Sequence, residues 1–314
     1  ISEEDVKRVL DAAKAVVIPS DREILHIIPQ EFKVDNTSGV RDPIGMCGVR
    51  LEAKVHVVTG EISLINNLIK CVEQAGVEVE QIILQPIASS EAVLTAEEKE
   101  MGVILVDIGG GTTDLAIWKD NSLLHSHIIP VGGNHFTNDL AVALKISHAE
   151  AERIKTHHGS VLKDRANSQS CVTIQGVAGT RPREVSLDVI AEVLEARAVE
   201  LFKIIQSILE EKEFQNQIPG GYVLTGGGVL VSEMAELAEY VLERPVKVGY
   251  PKPYGGMTNI MQNPKYSTVL GLLQLAAKKN PVKMTLEEFG HEKPSRDIVS
   301  KLTESFKSVF KEIF

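Results

Sequence analysis

The residues best equipped for chemistry lie together in Asp107-Ile108-Gly109-Gly110-Gly111-Thr112-Thr113-Asp114. Apolar runs at 103–106 and 115–118 flank this stretch, so the glycines sit at the bend of a hairpin. Without side chains, the three glycines allow peptide N–H groups to come close to an anion. Thr112 and Thr113 add hydroxyl donors. Asp107, at the loop mouth, can hold Mg²⁺ or its waters, because hard cations prefer carboxylate oxygen. A glycine triplet alone also reads as a plain tight hairpin. The added carboxylates and threonines favour a loop that holds phosphate.

A second triplet, Gly226-Gly227-Gly228, follows the apolar run 222–225 and opens onto a helix over 232–242. Bare backbone at a strand–helix junction suits a base or ribose, although alone it reads better as a close strand–helix contact. Other polar groups carry less. His125 and His127 alternate along a strand with no third ligand in view, so they read as side chains on a sheet face. His157 and His158 read as an exposed loop. No Ser/His/Asp or Cys/His arrangement points to nucleophilic catalysis.

The elements that must position these loops follow from periodicity. A helix opens the chain, capped by Ser2 ahead of Glu3, Glu4 and Asp5, with an apolar stripe of Val6, Val9, Leu10 and Ala13. Strand runs at 24–28 and 31–34 precede a turn-rich stretch at 40–45. A strand at 55–59 then leads into a helix bearing Ile62, Leu64, Ile65, Leu68, Ile69 and Val72. A strand over 77–84 and a helix over 86–94 complete a strand–helix–strand rhythm, which indicates an α/β fold. Beyond the hairpin, Gly132-Gly133-Asn134 precede a helix reaching Leu144, and 149–155 forms another. The irregular stretch 157–184 holds strands at 171–175 and 183–185. A long amphipathic helix spans about 188–212, and a last packed helix spans 267–277.

Length and composition bound the classes. The 314 residues suggest about two domains, and 43% hydrophobic with 24% charged residues is a globular balance. A net charge of −10 argues against a nucleic-acid partner. Three dispersed cysteines imply neither a disulfide framework nor a zinc site and fit a reducing compartment. No apolar run approaches the ~20 residues that span a bilayer, and no signal peptide is apparent. At the C-terminus, Ile298, Leu302, Phe306, Val309, Phe310 and Ile313 recur at helical spacing beyond a charged, Pro-containing linker. Its charges leave the segment one unit positive, so burial of apolar groups at ~1.5–3 kcal/mol each would dominate its attraction to lipid. Docking on its own domain is the alternative.

Two glycine triplets, each after an apolar strand, resemble the actin-like ATPase superfamily of two-lobed, ribonuclease H-like α/β proteins. That resemblance implies ATP and Mg²⁺ as ligands. Asp107 through Thr113 would be the second phosphate loop and 225–229 the adenosine loop. Glu152 and Lys155, on one helical face, resemble the pair that brackets the ribose; they also read as an ordinary ion pair. Gly132, Gly133 and Asn134 resemble the first interlobe connection, and 267–271 the second. Gln85 falls where relatives orient the attacking water, although a Gln there also reads as a helix cap.

Residues 24–32 and 42–53 resemble the inserted subdomain of the FtsA family of bacterial cell-division proteins, which actin and sugar kinases lack. This resemblance implies an incomplete inserted subdomain at 1–53 and a partial first lobe at 54–100, completed by 264–280. It further implies a second lobe at 101–263 with a smaller subdomain at about 160–219, a linker at 281–294 and a membrane-targeting helix at 295–314. The implied role is an ATP-binding adaptor that self-associates into filaments and tethers FtsZ polymers through their C-terminal tail. It would act on the cytoplasmic face of the cell membrane at the division site, with downstream division proteins as further partners, and would be at most a weak ATPase. Arg197 lies in a segment similar to the FtsZ-tail docking region, but among Glu192, Glu195 and Glu200 it also reads as a surface ion pair. No second Asp-x-Gly-rich loop lies upstream of Val106, so the resemblance implies an N-terminally incomplete first lobe, unpaired edge strands and weakened nucleotide binding. A pilus-assembly ATPase and a small-molecule kinase or phosphatase of the same superfamily are the alternatives.

Overall fold

Reciprocal bonds between Ser2 and Asp5 start helix α1 (Glu3–Ala13), whose acidic first turn matches the positive end of the helix dipole. The computed structural model describes residues 1–176, 181–214, 217–252 and 262–279. The linker over 281–294 and the amphipathic segment with Ile298, Leu302, Phe306, Val309, Phe310 and Ile313 lie outside these residues.

Strand β1 (Arg22–Val34) pairs antiparallel with β2 (Thr37–Val40) on one side and β3 (Leu51–Glu61) on the other. The two runs expected at 24–28 and 31–34 are thus one strand. Pro29 lacks an N–H, and the register shifts between Pro29 and Glu31 instead of the strand ending. β3 runs on through the expected subdomain boundary at 53/54, directly into α2 (Ile62–Gln74). The strand expected over 77–84 does not form: these residues join none of the three sheets. Apolar alternation there predicts a strand, but a strand also needs a ladder neighbour, which local pattern does not supply.

Helix α3 (Gln85–Val93) starts with Pro86 in its first turn, and α4 (Ala96–Met101) starts on a Thr95–Glu98 capping box. The central sheet then forms. β4 (Val103–Ile108) pairs antiparallel with β5 (Thr113–Lys119), and β5 pairs with β6 (Ser122–Ile129) through a turn at Asp120 and Asn121, both with positive φ. Helices α5 (Gly133–Leu144) and α6 (His148–His158) follow. A short hairpin joins β7 (Cys171–Ile174) to β8 (Arg183–Ser186), ahead of the long α7 (Leu187–Glu211). β9 (Tyr222–Thr225) then returns parallel to β4. Helix α8 (Met234–Leu242), β10 (Val246–Val248) and α9 (Ser267–Lys279) complete the described chain. The sheet order is β10-β9-β4-β5-β6.

All six residues of β4 are buried, because helices cover both sheet faces. Ile104, Val106 and Ile108 point to a core built with Phe136, Leu140, Ile154, Leu194 and Phe202 from α5, α6 and α7. Val103 and Leu105 point the other way, to Ala92, Val93 and Leu270 from α3 and α9. The period-2 alternation of a strand divides one apolar run between two cores. Both glycine loops therefore emerge from the carboxyl ends of adjacent, fully anchored strands.

Candidate functional site

The bend between β4 and β5 is held from behind by α5. The N–H groups of Gly133 and Asn134 donate to the carbonyls of Gly109 and Gly110 at 2.8 and 2.7 Å. This approach requires glycine at 132, since a Cβ there would lie 2.8 Å from both of those carbonyl oxygens. With the two carbonyls turned toward α5, the N–H groups of Gly110 and Gly111 take no acceptor among the described residues. The loop thus offers donors and withholds acceptors, the polarity an anion needs.

The second triplet closes against the first. Gly226 has φ +89°, and a Cβ there would collide with Asp107 Oδ1 and the Ile108 carbonyl. Gly228 similarly packs on the Ile108 side chain. A cavity of about 310 Å³ opens between the loops, lined by Gly109, Gly110, Gly133, Asn134, Glu152, Lys155, Gly227 and Gly228. Residues from 109 to 228 in the chain share one wall-to-wall space.

Lys155 supplies the positive charge. Its side chain is buried, and Nζ reaches Glu152 Oε2 at 2.7 Å, Thr137 Oγ1 at 2.7 Å and the Gly133 carbonyl at 3.0 Å. Burial opposes ionisation of Glu152, but bonds from Lys155 and Thr137 outweigh it and hold the carboxyl below its ordinary range. The Glu152–Lys155 pair is therefore built into the cavity wall, tied to α5 rather than free in solvent.

Asp107 and Asp114 lie beneath the bend, 2% and 3% exposed, which makes both acidic groups part of the interior. Asp107 Oδ2 accepts from Ser89 Oγ at 2.5 Å, Gln85 Nε2 at 3.2 Å and Thr268 Oγ1 at 3.4 Å. Burial first, and then the neighbouring Asp107 carboxylate, push Asp114 up to about 6, against a lowering bond from Thr112.

Gly111 and Thr112 stand at the bend outside the cavity lining, and Thr112 turns its hydroxyl to Asp114. Thr113 is fully buried and donates to the Val131 carbonyl at 2.8 Å, so its hydroxyl serves the fold. Gln85 faces Asp107 from α3. Arg197 stands apart: it pairs bidentately with Asp139 of α5 at 2.5 and 3.0 Å and also bonds Glu200. Glu192 and Glu195 instead bond Lys163. Among the described residues no group of three or more His, Cys, Asp or Glu side chains is placed to hold a metal ion. His125 packs beside His56, His127 and Phe214.

Sequence reasoning missed Ser89, Thr137 and the apolar wall of Phe136, Leu230 and Val231. Ser89 was within reach, since it lies four residues after Gln85 on one helix face. Thr137 and Phe136 carry no local mark of their role.

Paired glycine loops at the ends of adjacent sheet strands, with a helix N-terminus behind the first, define an actin-like protein. The PilM–PilN type IV pilus biogenesis complex superposes with a TM-score of 0.61 at 18% identity, covering 87% of this chain and 72% of that one. MreB5 of Spiroplasma citri bound to ADP gives 0.57 at 24% identity, covering 71% and 69%. These likenesses establish the fold. The particular family comes from sequence: the family model for Cell division protein FtsA matches residues 104–271, and that for the SHS2 domain inserted in FTSA matches 1–59. Cell division protein FtsA of Pseudomonas aeruginosa is 42% identical over 302 residues, which is 95% of this chain and 72% of the relative. The chain belongs to the FtsA family of cell-division proteins.

Proposed function

We propose that this protein binds ATP with Mg²⁺ in the cavity between its two glycine loops and works as a filament-forming adaptor in cell division. The observation that carries the reading is the convergence of Gly109, Gly110, Glu152, Lys155, Gly227 and Gly228 on one cavity. The residues fit the ligand. Gly110 and Gly111 offer N–H groups to phosphate, and Gly227 and Gly228 leave room for adenosine. Glu152 and Lys155 can bind the ribose hydroxyls, one as acceptor and one as donor. Asp107 supplies hard carboxylate oxygen for Mg²⁺ or its waters, and the metal would offset phosphate charge. Gln85, whose amide already donates to Asp107, is the candidate for orienting a water. As the family resemblance implies, we expect at most slow hydrolysis.

The division of labour follows the family. The inserted subdomain would run from residue 1 to the end of β3, past the expected boundary at 53/54. The first lobe would follow to 100 and be completed by 264–280, and 101–263 would form the second lobe with its smaller part at about 160–219. The insertion would make protomer contacts, and the smaller subdomain would take the FtsZ tail. Beyond a linker at 281–294, residues 295–314 would bury Ile298, Leu302, Phe306, Val309, Phe310 and Ile313 in the cytoplasmic leaflet at the division site. There the filaments would meet further division proteins. Among the described residues no helix is long and apolar enough to cross a membrane. The family match favours this role over a pilus ATPase or a small-molecule kinase.

Liposome flotation with and without residues 295–314, combined with co-sedimentation of an FtsZ tail peptide, tests the adaptor role. Flotation that requires the segment and recruits the peptide supports it. A chain that stays in solution defeats the anchoring reading. Titration with a fluorescent ATP analogue tests the cavity, and failure to bind even at millimolar concentration would remove the nucleotide from the account.

A further inference from the structure

Three donors converge on one oxygen of Asp107, and they come from two helices far apart in sequence. Gln85 and Ser89 are one turn apart on α3, while Thr268 lies in the first turn of α9. The Ser89 and Thr268 hydroxyls are 2.9 Å apart. Ser89 has a single proton, and its 2.5 Å contact with the carboxylate uses it. Thr268 must then share its own single proton between Ser89 Oγ at 2.9 Å and Asp107 Oδ2 at 3.4 Å, and the shorter arm sets a directed chain from Thr268 through Ser89 to Asp107 Oδ2. In such a chain each bond polarises the next.

The other oxygen, Oδ1, is treated differently. It lies against Gly226, where a Cβ would collide with it. The carboxylate is thus anchored through Oδ2 while Oδ1 faces bare backbone at the second glycine loop. Neighbouring contacts fix Thr268 in place. Ser267 Oγ lies 2.6 Å from Thr225 Oγ1, and Thr225 is the register partner of Asp107 across β4 and β9. Consecutive residues of α9 therefore tie the ends of both strands that carry the glycine loops. Gly271 brings α9 against the Ala88 backbone, so the helix cannot drift from α3.

We infer that Ser89 and Thr268 are positioning residues, which set the plane of the Asp107 carboxylate so that its second oxygen is presented to nucleotide-bound Mg²⁺. The inference rests on the nucleotide reading above. A carboxylate held by one oxygen has lost its rotation about the Cβ–Cγ bond before the metal arrives, so that ordering cost no longer opposes binding. Neither hydroxyl touches the metal or the nucleotide in this role.

The test uses the full chain and a fluorescent ADP analogue, titrated once in excess EDTA and once in millimolar Mg²⁺. The quantity read is the gain in affinity that Mg²⁺ brings. Ser89→Ala and Thr268→Val are expected to cut that gain roughly 3- to 10-fold, in the range for losing one ordinary hydrogen bond, and to leave affinity in EDTA unchanged. Thr268→Ser, which keeps the hydroxyl, is expected to retain the gain. Equal losses in EDTA and in Mg²⁺ would mean a packing role and overturn the inference, as would an unaltered gain in both variants. Should Thr268→Val not fold, Ser89→Ala removes only one oxygen atom and carries the test. A wild-type chain that binds the analogue with no gain from Mg²⁺ would instead defeat the metal reading of Asp107, and this inference with it.

Discussion

Asp107 and Asp114 are partners across the β4–β5 ladder, facing one another at the base of the glycine bend. Only Asp107 is held by donors from two helices, while Asp114 receives one hydroxyl, from Thr112. Two carboxylates so close and so buried cannot be equally content with charge, and the less supported one yields.

That asymmetry has a pH signature. Asp114 rises to about 6 from its ordinary 3.8. The folded state therefore holds this proton more tightly than the unfolded chain does. The stabilisation it provides is complete below about pH 4 and is lost as pH climbs toward 6. Asp114→Asn should be more stable than the wild type at pH 7.5, by on the order of 2 kcal/mol, and the advantage should vanish near pH 4. Urea denaturation at both pH values measures this. A difference that does not change with pH would contradict it.

Gly226 and Gly111 both belong to triplets, yet they should respond differently to alanine. Gly226 combines φ +89° with a Cβ position already taken by Asp107 and the Ile108 carbonyl. Gly226→Ala should cost at least ~1–3 kcal/mol in thermal or denaturant unfolding. A Cβ at Gly111 meets nothing within 4 Å, so Gly111→Ala should leave stability within ~1 kcal/mol of the wild type. Equal costs would show that the collision at 226 relaxes freely.

Lys155 is a buried cation with three oxygen partners, and its removal leaves Glu152 and the Gly133 carbonyl to share the single proton of Thr137. Lys155→Met should destabilise the fold by ~1–3 kcal/mol and weaken binding of an ATP analogue at least tenfold. Glu152→Gln keeps an acceptor for Lys155 and should cost less in stability. The order of the two in chemical denaturation is the check, and Glu152→Gln proving the costlier change would refute the assignment.

Arg197 joins α7 to α5 through Asp139, both side chains being 24% exposed, so the pair is shielded enough to contribute. A double-mutant cycle with Arg197→Ala and Asp139→Asn should give a coupling energy of ~0.5–1.5 kcal/mol. Coupling near zero would return Arg197 to the surface role that its acidic neighbours suggest.

Local pattern carried much of the fold. The runs 103–106, 115–118 and 222–225 became strands, and the helices on either side of them stand within a few residues of their expected limits. The stretch 77–84 misled because its apolar alternation meets a strand's local requirement, while membership of a sheet depends on a neighbour. The separate runs 24–28 and 31–34 are the opposite case, since a register shift between Pro29 and Glu31 carries one strand through the gap. Within the site, Gly109 to Thr113 and Gly226 to Gly228 were marked by residue type and spacing, whereas Glu152 and Lys155 were singled out only through the family resemblance and by spacing alone read as an ordinary ion pair. Arg197 was marked too, but its partner Asp139 is 58 residues away.

The sequence by itself determined the two glycine triplets, the strands that deliver them and the helical face that pairs Glu152 with Lys155. Those features need contacts only a few residues apart, where backbone geometry leaves little choice. The tertiary structure alone decided which oxygen of Asp107 is anchored and that Thr268, 161 residues away, anchors it. It also decided that Thr113 spends its hydroxyl on Val131, and that α5 turns the loop carbonyls aside. A hydrogen bond of 3 Å between distant segments depends on how every intervening element packs, and no spacing along the chain encodes that sum.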